Sequence, residues 1–180
     1  MLFTYDECLK KYGNDYQIKK VLQDENLFKV KDGLYSDVSS PRDLEVFIKK
    51  HPNAIFTMGS ALYYLGISDV IPDKYSIITD KDATKIKDPN IIQYFDNSNT
   101  LFVGVTKINH NGVLISLYSK ERMLIEVARY KNKIPYDYYK EIIAYYRSHI
   151  EEIDISLVLD YLQSFPKQAF ITNIIRTEVL

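Results

Sequence analysis

The apolar positions of this chain keep a helical spacing at first, then alternate, then become helical again. Within the first of these stretches Ile18, Val21 and Leu22 stand at spacings of three and four. Thr4 stands where a helix cap would, with Glu7 three positions on, and this capping-box pattern predicts a helix over 5–12 that Gly13-Asn14 ends. Asp15 is placed to cap a second helix, YQIKKVLQDE, whose Ile18, Val21 and Leu22 share one face. The opposite face carries Tyr16, Gln17, Lys19, Lys20 and Gln23. Leu27 to Lys31 then alternates, Asp32-Gly33 is a hairpin pair, and Leu34-Tyr35 returns. Helix, tight turn, helix and hairpin are the parts of a winged helix-turn-helix.

Ser40 as cap and Pro41 as first helical residue predict a further helix through RDLEVFIKKH. Beyond it, short apolar runs predict strands over 54–57, 75–79, 91–95, 100–108 and 113–118, with a turn at Asn109-His110-Asn111-Gly112. A short helix over 60–65, ended by Gly66, interrupts them, and 84–90 reads as loop. After Ser119 the pattern is helical to the end, over 120–130, 136–149, 155–164 and 167–179. The expected architecture is α+β. A shortened winged helix-turn-helix over 1–38 precedes a domain over 39–180, built as a mixed β-sheet with a helical C-terminal region.

The 180 residues suit one domain, or a small one and a medium one. A formal net charge of -1 argues against a generic polyanion binder, so a nucleic-acid contact needs a local patch. Six lysines and six carboxylates over 1–36 cancel, but Lys19 and Lys20 gather on the second helix and Lys29 and Lys31 on the hairpin. Those are the surfaces that meet phosphates in a winged helix, and Gln17 and Gln23 are of a type that reads base edges. Cys8 is the only cysteine, which excludes an internal disulfide and a cysteine-based zinc site, and its apolar helical setting predicts a packed thiol. The charged N-terminus is not a signal peptide, and no apolar run approaches the roughly 20 residues that span a bilayer, so a cytoplasmic protein is expected. Sixteen tyrosines and no tryptophan suggest rings packed inside with hydroxyls left wet, or else a partner surface.

Little in the sequence points to catalysis. Gly59-Ser60 follows a strand and Asp80-Lys81-Asp82 follows another, the loose ingredients of a Mg²⁺-dependent nucleotidyltransferase. The gap between them is long, Asp is also a common turn residue, and Ser60 could simply cap its own helix. His51, His110 and His149 have no metal-binding spacing. No nucleophile elbow, P-loop or dinucleotide fingerprint occurs, and no metal or cofactor is expected.

Taken in order, the segments resemble the antitoxins of the AbiE abortive-infection systems, the AbiEi-like transcriptional regulators of bacteria. The head TYDECLKKYGNDYQIKKVLQDENLFKVKDGLY is similar in its order of helix, recognition helix and wing ending in Gly33-Leu34-Tyr35. HPNAIFTMGSALYYLGISDVIP resembles the family's central signature, here Ser60 to Pro72, and GVLISLYSKERMLIEVARYK resembles the strand and helix that follow. Many members carry an additional helix before the one that starts here after Thr4. The resemblance implies a non-enzymatic antitoxin of type IV, acting in phage defence. Such a protein represses its own operon through inverted repeats in double-stranded DNA. It also counteracts a nucleotidyltransferase-like toxin without forming a stable complex. It further implies that Arg122 and Arg129 serve the antitoxin function. These two lie seven residues apart, about two helical turns, with Glu126 four residues after Arg122 as an ion-pair partner. A divergent nucleotidyltransferase, or a protein-binding adaptor using the Tyr-rich C-terminal helices, is the alternative reading.

Overall fold

The computed structural model describes residues 1–31 and 33–180, so the Asp32 half of the expected hairpin turn lies outside the described residues. The chain forms two compact units, Met1–Asn53 and Ala54–Leu180. The helix expected to open the second domain therefore belongs to the first unit.

In that first unit, β1 (Leu2–Thr4) leads into α1 (Tyr5–Tyr12) and α2 (Asp15–Gln23), followed by β2 (Phe28–Lys29), β3 (Leu34–Ser36) and α3 (Asp43–Lys50). The capping box forms: Thr4 Oγ1 accepts from the Glu7 N–H at 3.3 Å, and the Glu7 carboxylate accepts from the Thr4 N–H at 2.7 Å. Gly13, at φ +92°, takes the left-handed turn that ends α1. The expected Asp15 cap is displaced by one residue. Asn14 caps α2 by accepting from the Gln17 N–H at 3.0 Å, while the Asp15 carboxylate accepts from the Tyr5 hydroxyl. Ser40 does not cap α3, which begins after Arg42 with no side-chain cap; an Arg42–Glu45 ion pair spans its first turn instead. β3 is the middle strand of an antiparallel sheet in the order β1-β3-β2. β1 went unforeseen because three residues are too few to show a period. It exists because Phe3 pairs with Tyr35 and enters the core of Cys8, Ile18 and Leu27.

The second unit contains β4 (Ile55–Phe56), α4 (Met58–Tyr64), β5 (Tyr75–Asp80), β6 (Ile91–Asp96), α5 (Ser98–Leu101), β7 (Val105–His110) and β8 (Val113–Tyr118). Four longer helices follow: α6 (Lys120–Arg129), α7 (Tyr136–Ser148), α8 (Ile155–Leu162) and α9 (Gln168–Glu178). The sheet is mixed, in the order β6-β5-β4-β8-β7, with parallel β5/β6 and β4/β8 pairs and antiparallel β4/β5 and β7/β8 pairs. The molecule is thus α+β, as expected. The strand expected over 100–108 begins only at Val105, because Ser98–Leu101 winds into α5 and Gly104 turns at φ +72°. Asn111 and Gly112, both at positive φ, make the two-residue turn that joins β7 to β8. α6 is the centre of this unit. Every side chain from Arg122 to Ala128 is buried, against α4, α8 and α9.

Candidate nucleic-acid interface

α2 turns Ile18 into the core at 3% exposure and holds Val21 and Leu22 half-buried. Its helical period leaves Tyr16, Gln17, Lys19, Lys20 and Gln23 exposed, with the Tyr16 ring 73% accessible. Along the following hairpin Phe28 and Val30 are half-buried while Lys29 and Lys31 are exposed. The Val30 N–H donates to the Leu34 carbonyl at 2.8 Å, and the Leu34 N–H to the Lys31 carbonyl at 3.3 Å, with Gly33 at φ +76°. All seven polar residues singled out in the head are therefore on its surface.

Four carboxylates of this unit have partners of their own. Glu7 takes Lys49 Nζ at 2.7 Å as well as the Thr4 N–H, which hold its carboxyl below the usual range. Asp37 binds the N-terminal ammonium and is likewise lowered, Asp15 holds Tyr5, and Glu45 holds Arg42. Among the described residues, Lys19, Lys20, Lys29 and Lys31 have no carboxylate partner. Asp6, Asp24, Glu25 and Asp43 are exposed as well, so the unit stays neutral, and what this surface offers phosphates is four ammonium groups that no described carboxylate pairs. Cys8 is wholly buried, and burial pushes its thiol up.

The second pair of predicted site residues meets inside the other unit. Arg122 Nη2 lies 3.0 Å from Asp96 Oδ2 and 2.9 Å from Glu126 Oε1. Arg129 Nη1 lies 3.3 Å from the same Asp96 oxygen and 2.6 Å from Glu126 Oε1. The Arg122 guanidinium lies over two aromatic rings, 4.3 Å from the centre of Tyr118 and 4.1 Å from that of Phe165. Arg122 and Glu126 are wholly buried. Burial alone would raise the Asp96 carboxyl, but Arg129 and hydrogen bonds from Thr100 and Asn97 outweigh it and hold it low. Burial does push Glu126 up, against the pull of both arginines. Arg122 presents no surface to a partner, so any part it plays runs through the fold. Asp96 and Phe165 were missed in the sequence, since nothing local links them to Arg122.

Gly59-Ser60 and the Asp80-Lys81-Asp82 run do not meet. Ser60 Oγ accepts from the Ser76 N–H at 2.8 Å, near the start of β5. It clips helix to strand rather than capping α4, whose cap position is Thr57. Asp80 ends the same strand and accepts from the Asp82 N–H at 2.9 Å, a turn role. At about 3.3 Å per residue the two motifs lie roughly 13 Å apart. Among the described residues no group of three His, Cys, Asp or Glu side chains could hold a metal ion. No described helix is long and apolar enough to cross a membrane. The tyrosines depart from the wet-hydroxyl expectation at two buried sites, where Tyr118 donates to the Leu101 carbonyl and Tyr146 to the Lys120 carbonyl, both at 2.9 Å.

No known protein family matches the chain, and no curated protein is significantly similar to it. Its fold is similar to that in the crystal structure of the RV2827C protein from Mycobacterium tuberculosis, with a TM-score of 0.61. The alignment covers 98% of this chain and 71% of the other at 14% identity, and so speaks for the fold alone.

Proposed function

We propose that the Met1–Asn53 unit is a shortened winged helix-turn-helix that binds double-stranded DNA, and that the protein is an autorepressor. In this reading α2 is the recognition helix. Lys19, Lys20, Lys29 and Lys31 contact phosphates while Tyr16, Gln17 and Gln23 face base edges. One observation carries it: the four lysines of helix and hairpin are exposed and have no acidic partner among the described residues, while Glu7, Asp15, Asp37 and Glu45 are occupied. Non-enzymatic action as a type IV antitoxin against a nucleotidyltransferase-like toxin extends the proposal. That extension rests on the resemblance of Ser60 to Pro72 and of the α6 region to the AbiE regulators.

A gel shift with the DNA upstream of the gene, repeated across a salt series, tests the binding. Retardation should weaken with salt, and Lys19→Ala with Lys20→Ala should lower the slope of log affinity against log salt by about two units. Absence of any shift at low salt would falsify the repressor reading. Rescue of growth on co-expression with an adjacent toxin gene tests the extension separately.

A further inference from the structure

We propose that the second unit carries a binding site for a small, flat, apolar molecule bearing one negative charge. The concavity lies between the start of α4, the 70–74 segment, β6 and the 130–135 segment, and its volume is about 610 Å³. That falls inside the roughly 300–1,000 Å³ of small-molecule sites. Buried Met58 and Leu62 form its floor. Tyr94 and Tyr130 meet edge to face at 5.7 Å along one wall, a geometry that offers ring faces to a planar guest. Burial raises both phenols, so their hydroxyls stay protonated and remain hydrogen-bond donors.

The rim decides the sign of the charge. Lys74 and Lys133 are exposed lining residues without a carboxylate partner among the described residues, and Asp73 is the single acid beside them. The rim therefore carries one net positive charge. Lys133 Nζ lies 5.2 Å from the centre of the Tyr130 ring, which holds the ammonium at the wall. The backbone adds a second sign of a constrained site. Met58 is a non-glycine residue held at φ +41°, a strained conformation kept only where the surroundings impose it. The proposal is independent of DNA binding.

The test titrates the full chain with anilinonaphthalene sulfonate, an aromatic monoanion, under conditions where near-ultraviolet circular dichroism shows native packing. Saturable one-to-one binding is expected, with the neutral phenylnaphthylamine at least tenfold weaker. The surface variant Lys74→Ala/Lys133→Ala should lose at least tenfold in affinity for the sulfonate. A Cβ on Gly59 would stand 3.8 Å from Pro72 and Ser76, both lining residues, so Gly59→Leu should occupy the space and abolish binding while Gly59→Ala retains it. No saturable binding by the native chain, or undiminished binding after loss of both lysines, overturns the proposal.

Discussion

Gly104 and Arg122 form a matched pair. A Cβ on Gly104 would stand 2.5 Å from Arg122 Cβ and 2.9 Å from Tyr161 Cε2, at a φ of +72°. The nearest atom is the rigid root of a side chain, so relief requires a shift of α6 itself. Gly104→Ala should therefore destabilise by about 2 kcal/mol or more, from left-handed strain and overpacking together. Arg122→Ala leaves Asp96 and Glu126 buried beside fewer charges and should cost about 3–5 kcal/mol, the range for breaking a buried pair. Arg129→Ala should cost less, because that side chain is 21% exposed and water can take over part of its role. Urea midpoints rank the three variants. An Arg122→Ala protein of unchanged stability would contradict the internal role assigned to this residue.

At the scale of elements, helix ends in the first unit carry much of the information. The Thr4–Glu7 box fixes where α1 starts, and Glu7 also ties α1 to α3 through Lys49. Thr4→Ala should cost about 1 kcal/mol, a typical loss for a cap. The pH dependence follows from the Glu7 carboxyl, held below its ordinary 4.5 chiefly by Lys49. A lowered folded value means the unfolded chain binds the proton more readily. The contribution is thus complete above the unfolded value near 4.5 and declines as pH falls through the folded one. Urea unfolding between about pH 6 and pH 3 should show a shallower acid loss in Glu7→Ala than in the native chain. The effect is small, since Glu7 is 46% exposed and the pair is screened.

At the scale of the whole molecule, each unit closes a core of its own. The first relies on Phe3, Cys8, Ile18, Leu27 and Tyr35, and the second on α6 among the sheet and the C-terminal helices. A unit of about 50 residues buries a smaller share of its surface than one of more than 100, so it should be the less stable. Urea should produce two transitions, the first with the smaller denaturant dependence. Cys8 reports on the first directly, because it is the sole thiol and is wholly buried. Its labelling by a thiol reagent should become fast at the lower midpoint, while tyrosine signals from the second unit persist. A single transition with coincident thiol exposure would show that the units unfold together.

What the residues alone determined were features set within about one helical turn: the period of α1 and α2, the Thr4–Glu7 box, the Asn111-Gly112 turn, and which face of α2 carries lysine. The misplacements in these regions, Asn14 for Asp15 and Arg42 for Ser40, are shifts at helix ends. Tertiary structure decided what depends on distant partners. β1 needs Tyr35 to be a strand, and Ser60 turns from a helix cap into a clip because Ser76 comes within reach. Arg122 and Arg129 share a visible face with Glu126, but Asp96 and Phe165 complete the cluster from 26 and 43 positions away in the chain. Hydrogen bonds and ion pairs act over a few ångströms of space, and only folding brings such positions within that range.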